Sequence, residues 1–183
     1  MMEYAVIQEY TQRKVNEIRR RIRRLQNRGC IDSLEKIGVD TQGQVGASYL
    51  SLKKLAGQYE ADEKVASLLW ATQQREEQII ACFLLPKKII KEKITQLMHL
   101  CSRSEIAEYF GSVFLFQHAE LPEIAREWSN SSIPFLQTAA LTACARHLLL
   151  NKEKPEISPD FFKTLVNKDY EDPYVRLVAG RYK

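Results

Sequence analysis

The stretch LLWATQQREEQIIACFLL, residues 68–85, decides how this chain folds. An apolar segment closes at Trp70, a short polar turn follows, and a second apolar segment runs on from Arg75 until Pro86 stops it. The spacing of the apolar residues is helical on both sides of the turn, so the stretch predicts two helices joined as a hairpin. A second stretch, REWSNSSIPFLQTAALTACARHLL at residues 126–149, has the same plan: Trp128 closes one helix, SNSSI is the turn, and an Ala-rich apolar helix follows Pro134. One such hairpin cannot bury its own apolar face and must lend it to a neighbour.

Working outward, helical periodicity continues almost everywhere and no segment alternates like a strand. Near the start, Ile7, Val15, Ile18, Ile22 and Leu25 share one face, and NRG at 27–29 reads as a basic last turn with Gly29 as the stop. DTQGQVGAS, residues 40–48, is a Gly-rich loop, after which Ser48 is placed to cap YLSLKKLAGQY with Leu52 and Leu55 inward. Asp62 is placed to cap EKVASLLWA. In the second half, KKIIKEKITQLMHLC is amphipathic through Ile90, Ile94, Leu97 and Met98, and Ser104 stands ready to cap EIAEYFGSVFLFQ. ELPEIAREWS comes next, and Ser158 precedes PDFFKTLVN with Pro159 at the favoured first helical position. DPYVRLVAGRYK is the last helical segment. The expected fold is all-α: a HEAT-like (armadillo-type) α-α superhelix of stacked helical hairpins, one domain over residues 1–183. A non-repetitive helical bundle is the alternative.

At 45% hydrophobic residues the 183-residue chain can bury a real core. No apolar run is long enough to span a bilayer, and MMEYAVIQEY carries acids where a signal peptide would have a basic start and an apolar stretch, so a cytoplasmic protein is expected. Cys30, Cys82, Cys101 and Cys144 lie far apart with no CxxC and no histidine at ligand spacing, so reduced thiols are expected and neither a metal nor a disulfide framework. His99, His118 and His147 are isolated and read as packing or surface residues. No cofactor is expected.

Charge is unevenly placed. Residues 1–28 hold eight Lys/Arg against three acids, a net of +5 in a chain whose total is +4, so everything after residue 28 sums to −1. Such asymmetry points to an anionic partner at one end. Within NEIRRRIRRLQNRG, residues 16–29, five arginines occupy six positions. On a helical wheel Arg13, Arg20, Arg23 and Arg24 point away from the apolar face, while Lys14, Arg19 and Arg21 flank it. An ordinary solvated face mixes its signs, but here only Glu17 is spaced to pair with Arg20 or Arg21. Phosphates would neutralise the excess. No aromatic residue interleaves with these arginines, which argues against stacking on single strands and favours duplex backbone binding. Lys53, Lys54, Lys87, Lys88, Arg103, Arg146 and Arg176 could extend the footprint. Arg75, beside Glu76 and Glu77, reads as a structural ion pair, and Trp70 and Trp128 read as packing between repeats.

Between residues 35 and 150 the chain resembles the DNA alkylation repair (AlkD-like) glycosylase family. The likeness rests on GQVGASYLSLKKLAGQY, on Leu69, Trp70, Arg75 and Glu76 in LWATQQREEQIIACFLL, and on Trp128 followed by FLQTAALTACARHLL. The resemblance implies a curved solenoid whose concave, basic surface holds duplex DNA, alkylated or structurally altered, by its backbone. In active members an aspartate in a Trp-Asp motif assists loss of a cationic alkylpurine. Such a base is already a good leaving group, and a carboxylate stabilises the cationic sugar left behind. Here the corresponding segment reads CSRSEIAEYFGSVF, with neither tryptophan nor aspartate, and Glu105 or Glu108 falls nearest the catalytic position. Thr138 stands where the family's arginine is expected, and family members continue past VAGRYK with a Trp-containing helix.

Three functions follow from these residues. The first is a duplex-DNA-binding protein of this family, gripping through Arg13, Arg20, Arg23, Arg24, Lys87, Lys88, Arg103 and Arg176, with little or no glycosylase activity. The second is an active alkylpurine glycosylase using Glu105 or Glu108. The third is a non-enzymatic solenoid that binds a protein partner. None requires a membrane, a metal or a cofactor.

Overall fold

A computed structural model describes residues 2–36 and 41–183, with side chains from residue 8 onward. The side chain of Ile7, expected on the apolar face, is therefore not described, and Asp40, at the start of the Gly-rich loop, lies outside the described residues. Among the described residues there are eleven α-helices and no strand, so the all-α class holds. The chain divides into two compact units, Met1–Pro86 and Lys87–Lys183.

The first unit contains α1 (Met2–Arg23), α2 (Arg28–Lys36), α3 (Tyr49–Ala56), α4 (Glu63–Ala71) and α5 (Arg75–Leu84). The caps foreseen at two of these starts are made: Ser48 Oγ accepts from Ser51 N at 3.1 Å and Asp62 Oδ1 from Val65 N at 3.1 Å. Each such cap contributes roughly 1 kcal/mol by satisfying a helix-end donor. Helices α4 and α5 pack closely as the predicted hairpin, with α1 against α4 and α3 against α5. Val15, Ile18 and Ile22 of α1 are buried, as the wheel requires, and Trp70 at the end of α4 is wholly enclosed. Truncating such a tryptophan costs roughly 3–5 kcal/mol, so the residue closing the hairpin also anchors it. Gln78, buried on α5, donates from Nε2 to Trp70 O at 3.0 Å, a carbonyl at the end of α4 that also accepts from Gln73 N at 3.1 Å.

Gly29 is not the stop of the first helix. Helix α1 ends at Arg23, and Gly29 is the second residue of α2. Asn27 decides this: its side chain accepts from Cys30 N at 3.1 Å and its carbonyl from Ile31 N at 3.2 Å, so it starts a new helix four residues after the old one ends. The Gly-rich loop then returns past this corner. Gly46 sits at φ 72°, and a Cβ there would lie 2.6 Å from Asn27 O, so both its backbone angle and its neighbour require glycine.

The second unit contains α6 (Lys91–Met98), α7 (Ser104–Tyr109), α8 (Leu121–Ser129), α9 (Pro134–Leu150), α10 (Pro159–Asn167) and α11 (Pro173–Gly180). Helix α9 is its hub, with α7, α8, α10 and α11 all packed against it. Helices α8 and α9 form the second predicted hairpin, Trp128 is wholly buried near the end of α8, and Gln137 Nε2 donates to Ser131 O at 2.6 Å in the turn. Both hairpins thus end on a buried tryptophan and use a glutamine of the second helix to satisfy the corner. Pro159 and Pro173 open their helices, with Ser158 Oγ accepting from Phe161 N at 3.3 Å and Asp172 Oδ1 from Tyr174 N at 2.8 Å and Val175 N at 3.0 Å.

Two local expectations change here. Ser104 is the first residue of α7 and not its cap, and the continuous helix expected over 105–117 breaks into α7, a π-helical stretch at Phe110–Phe114 and a 3₁₀ turn at Leu115–Gln117. The break falls at Gly111, where the backbone meets α9 so closely that a Cβ would lie 2.0 Å from Thr142 Oγ1 and 2.4 Å from Ala139 O. Ile90 is 62% exposed and Ile89 is buried in its place, because α6 begins only at Lys91 and the extended backbone before it sends successive side chains to opposite sides.

Candidate nucleic-acid interface

The basic residues of α1 fall into two groups. Arg19, Arg21 and Lys14, beside the apolar seam, reach back into the first unit. Arg19 Nε donates to Glu77 Oε1 at 2.9 Å, Lys14 Nζ to Asp62 Oδ2 at 3.3 Å, and Arg21 Nη1 to the Tyr59 hydroxyl at 2.9 Å, with Glu17 Oε1 3.6 Å from the same guanidinium. Arg21 also donates to Gln58. Arg13, Arg20, Arg23 and Arg24 are exposed, as the wheel predicts. Arg13 pairs with Glu9 one turn earlier, whereas Arg20, Arg23 and Arg24 make no ion pair or side-chain hydrogen bond among the described residues. Among the described residues, the unneutralised excess at this end of the chain therefore resides in Arg20, Arg23 and Arg24, fewer than composition suggests.

Aromatic rings do stand among these arginines once the chain is folded. Tyr10, one turn before Lys14, is 61% exposed with the Lys14 ammonium 5.8 Å from its ring centre. Tyr59, from the turn between α3 and α4, lies under Arg21 with the guanidinium carbon 5.4 Å from its ring centre. Its hydroxyl donates to Glu17 Oε1 at 2.7 Å, and burial together with that carboxylate raises its pKa above the usual tyrosine value. Tyr10, Arg13, Lys14, Glu17, Arg20 and Tyr59 border an open groove of about 950 Å³. A second depression of about 430 Å³ includes Arg21, Arg24 and Lys54. The absence of interleaved aromatics was true of the linear sequence and is corrected by the fold. Tyr10 was legible from its spacing to Lys14; Tyr59 arrives from another element and was not.

In the same unit, the ion pair expected at Arg75 is present, with Nη1 3.4 Å from Glu76 Oε1 and 3.2 Å from Ala47 O. Glu76 is buried and also accepts from Gly46 N at 3.1 Å, so this pair ties the Gly-rich loop to the start of α5.

In the second unit Lys87 and Lys88 are exposed and Arg103 is half-buried. Arg176 spends its guanidinium on backbone, donating to Tyr170 O at 2.8 Å and Glu171 O at 2.7 Å. Glu105 is half-buried in the first turn of α7. Glu108, one turn later, is engaged at both oxygens: the Tyr174 hydroxyl donates to Oε1 and Arg181 Nη1 to Oε2 at 2.8 Å. Burial, and then this bond to Glu108, raises the Tyr174 pKa well above the usual value. Thr138 is buried, so its position on α9 presents no cationic side chain.

Two of the three histidines are built into the fold. His118 Nε2 contacts Ile89 O at 2.7 Å while Nδ1 accepts from Glu120 N at 3.2 Å; His147 Nδ1 contacts Phe116 O at 3.0 Å while Nε2 accepts from Glu156 N at 3.1 Å. Each ring meets a backbone carbonyl at one nitrogen and a backbone N–H at the other, the pattern of a structural imidazole. His99 is exposed. Among the described residues no cluster of three His, Cys, Asp or Glu is placed to hold a metal, and no helix is long and apolar enough to cross a membrane.

The DNA alkylation repair enzyme family matches residues 18–166, which takes in the last turns of α1, both tryptophan-closed hairpins and most of α10. The chain belongs to this family, and its all-helical fold agrees with the HEAT-like architecture expected of it. No curated protein and no solved structure matches the chain significantly.

Proposed function

We propose that this protein is a DNA-binding member of the DNA alkylation repair family that holds duplex DNA by its sugar-phosphate backbone, with α1 as a principal contact. The observation that carries this is the group of exposed guanidiniums at Arg20, Arg23 and Arg24, which make no ion pair among the described residues. Backbone contacts place a protein on a duplex without reading its bases, so affinity should vary little with sequence and fall steeply with salt. In the second unit, taken by itself, Lys87 and Lys88 are exposed candidates for phosphate contact; Arg103 and Arg176 are weaker candidates, being half-buried and tied to backbone carbonyls respectively. Fluorescence anisotropy of a labelled 20-base-pair duplex across a salt series is the test. Absence of binding at low salt, or tight binding indifferent to salt, overturns the reading.

The glycosylase alternative turns on the two glutamates. Glu108 suits it poorly, because Arg181 already neutralises the carboxylate that would have to stabilise a cationic sugar. Glu105 is then the residue to change. Release of methylated purines from alkylated DNA that is lost in Glu105→Gln establishes this activity; no release from the wild-type protein removes it.

A further inference from the structure

We propose that the groove along α1 between Tyr10 and Tyr59 seats an unpaired nucleotide, so that the protein prefers DNA with a single-stranded flank over a fully paired duplex. The inference rests on the reading of α1 as a nucleic-acid contact and goes beyond it, because backbone binding alone has no use for an exposed aromatic.

The chemistry of the groove is that of a nucleotide and not of a phosphate alone. Tyr10 offers a ring that is 61% exposed on a polar helix face, outside the core, with the Lys14 ammonium 5.8 Å from its centre. Every base has a π face, so an open tyrosine ring takes any of them. Arg20, exposed and without an ion pair among the described residues, borders the same groove and supplies a charge for the phosphate beside a stacked base. Across the groove the Tyr59 ring is held at a fixed angle by three polar contacts: Arg21 Nη1 donates to its hydroxyl at 2.9 Å, the hydroxyl donates to Glu17 at 2.7 Å, and the guanidinium covers the ring at 5.4 Å. A wall held in this way loses no freedom when a ligand arrives.

Glu17 is the carboxylate that borders the groove among the described residues, and it would repel a phosphate if it were free. It is not free: Arg21 lies 3.6 Å away and the Tyr59 hydroxyl bonds it at 2.7 Å. Glu9, the other acid nearby on α1, is paired with Arg13. The groove therefore presents a net positive rim and an open ring. Its volume of about 950 Å³ exceeds that of one nucleotide, leaving space for the neighbouring phosphates.

The test compares four labelled DNAs at one low salt concentration: a blunt 20-base-pair duplex, the same duplex with an eight-thymidine overhang, the same with an eight-residue abasic overhang, and a thymidine 16-mer. The abasic overhang keeps the phosphates and removes the bases, so it separates stacking from charge. The expected result is about five- to tenfold tighter binding of the thymidine overhang than of the abasic one, a stacking gain for one base. Tyr10→Ala should abolish that difference and leave blunt-duplex affinity unchanged, while Tyr10→Trp preserves it. Equal affinity for the two overhangs, or an overhang preference that survives Tyr10→Ala, overturns the inference while leaving backbone binding intact. Binding of the thymidine 16-mer with none of the blunt duplex overturns the duplex reading and supports this one; no binding of any probe overturns both. Displacement of the thymidine overhang by an acidic polypeptide at equal charge concentration would reassign the groove to a protein partner. Circular dichroism of Tyr10→Ala confirms that the substitution leaves the fold in place.

Discussion

Arg19, in the middle of the five-arginine run, donates from Nε to Oε1 of the buried Glu77 at 2.9 Å. The other oxygen of that carboxylate is buried with no hydrogen-bond partner among the described residues, so Arg19 is the group that offsets its charge. Arg19, which the helical wheel places beside the apolar seam, is thus spent on joining α1 to α5.

The arginines of α1 should therefore divide by function. Arg19→Ala leaves a buried carboxylate without its ion pair and should cost ~1–3 kcal/mol, below the roughly 3–5 kcal/mol of a fully buried pair because the arginine side chain is 37% exposed. Arg20→Ala, Arg23→Ala and Arg24→Ala should each change stability by less than about 0.5 kcal/mol. Each of those three that touches a phosphate should reduce the slope of log affinity against log salt by about 0.9. Urea unfolding and a salt series of anisotropy titrations on the same four variants measure both effects.

Gly111 should not tolerate a side chain. A Cβ would meet Thr142 Oγ1 at 2.0 Å and Ala139 O at 2.4 Å, and the carbonyl belongs to the backbone of the hub helix and cannot swing aside. Gly111→Ala should destabilise by about 1–3 kcal/mol through overpacking, even though alanine is the better helix former by about 1 kcal/mol. Thermal melts of Gly111→Ala and of Gly111→Ala with Thr142→Ala check the cause. The double variant removes the Oγ1 clash but not the carbonyl contact, so it should recover only part of the loss.

Thiol reactivity should single out Cys30. It is exposed, whereas Cys82, Cys101 and Cys144 are buried. Burial pushes the Cys101 and Cys144 thiols up to about 12, so at neutral pH they are both inaccessible and protonated. A chromogenic disulfide reagent should label one thiol per native chain and four after unfolding; rapid labelling of two or more in the native protein contradicts this packing.

Alkaline pH should loosen the second unit first through its tyrosines. Burial raises Tyr170 to about 12 from the ordinary 10.0, and burial with the Glu108 bond raises Tyr174 further. A phenol whose folded pKa lies above its unfolded value contributes stability that is fully present below pH 10 and is lost as pH rises toward the folded value, because the unfolded chain releases the proton earlier. In the fold the Tyr170 hydroxyl donates to Leu165 O at 3.0 Å, a bond the phenolate cannot make. Tm should hold steady to about pH 9.5 and then fall, and Tyr174→Phe should flatten that fall; absorbance at 295 nm against pH reports the late-titrating phenols directly.

The helices and most of their ends were legible because their signals are local. Ser48, Asp62 and Ser158 cap within three residues of themselves, and Val15, Ile18 and Ile22 share a face through a period that sequence displays. Both tryptophan-closed hairpins were readable in the same way. The local errors have local competitors: Asn27 caps a helix that Gly29 was expected to end, and the close approach of Gly111 to α9 breaks a run whose periodicity looked continuous.

Sequence by itself determined that this is a chain of helices, that Arg13, Arg20, Arg23 and Arg24 point outward, and which family the residues resemble. Tertiary structure alone decided which charges remain available and which rings stand beside them. Arg19 meets Glu77 across 58 positions, Tyr59 meets Glu17 across 42, and Arg181 meets Glu108 across 73. A helical period specifies the direction in which a side chain leaves its own axis; the partner it finds depends on how distant helices pack, and no spacing within one segment encodes that.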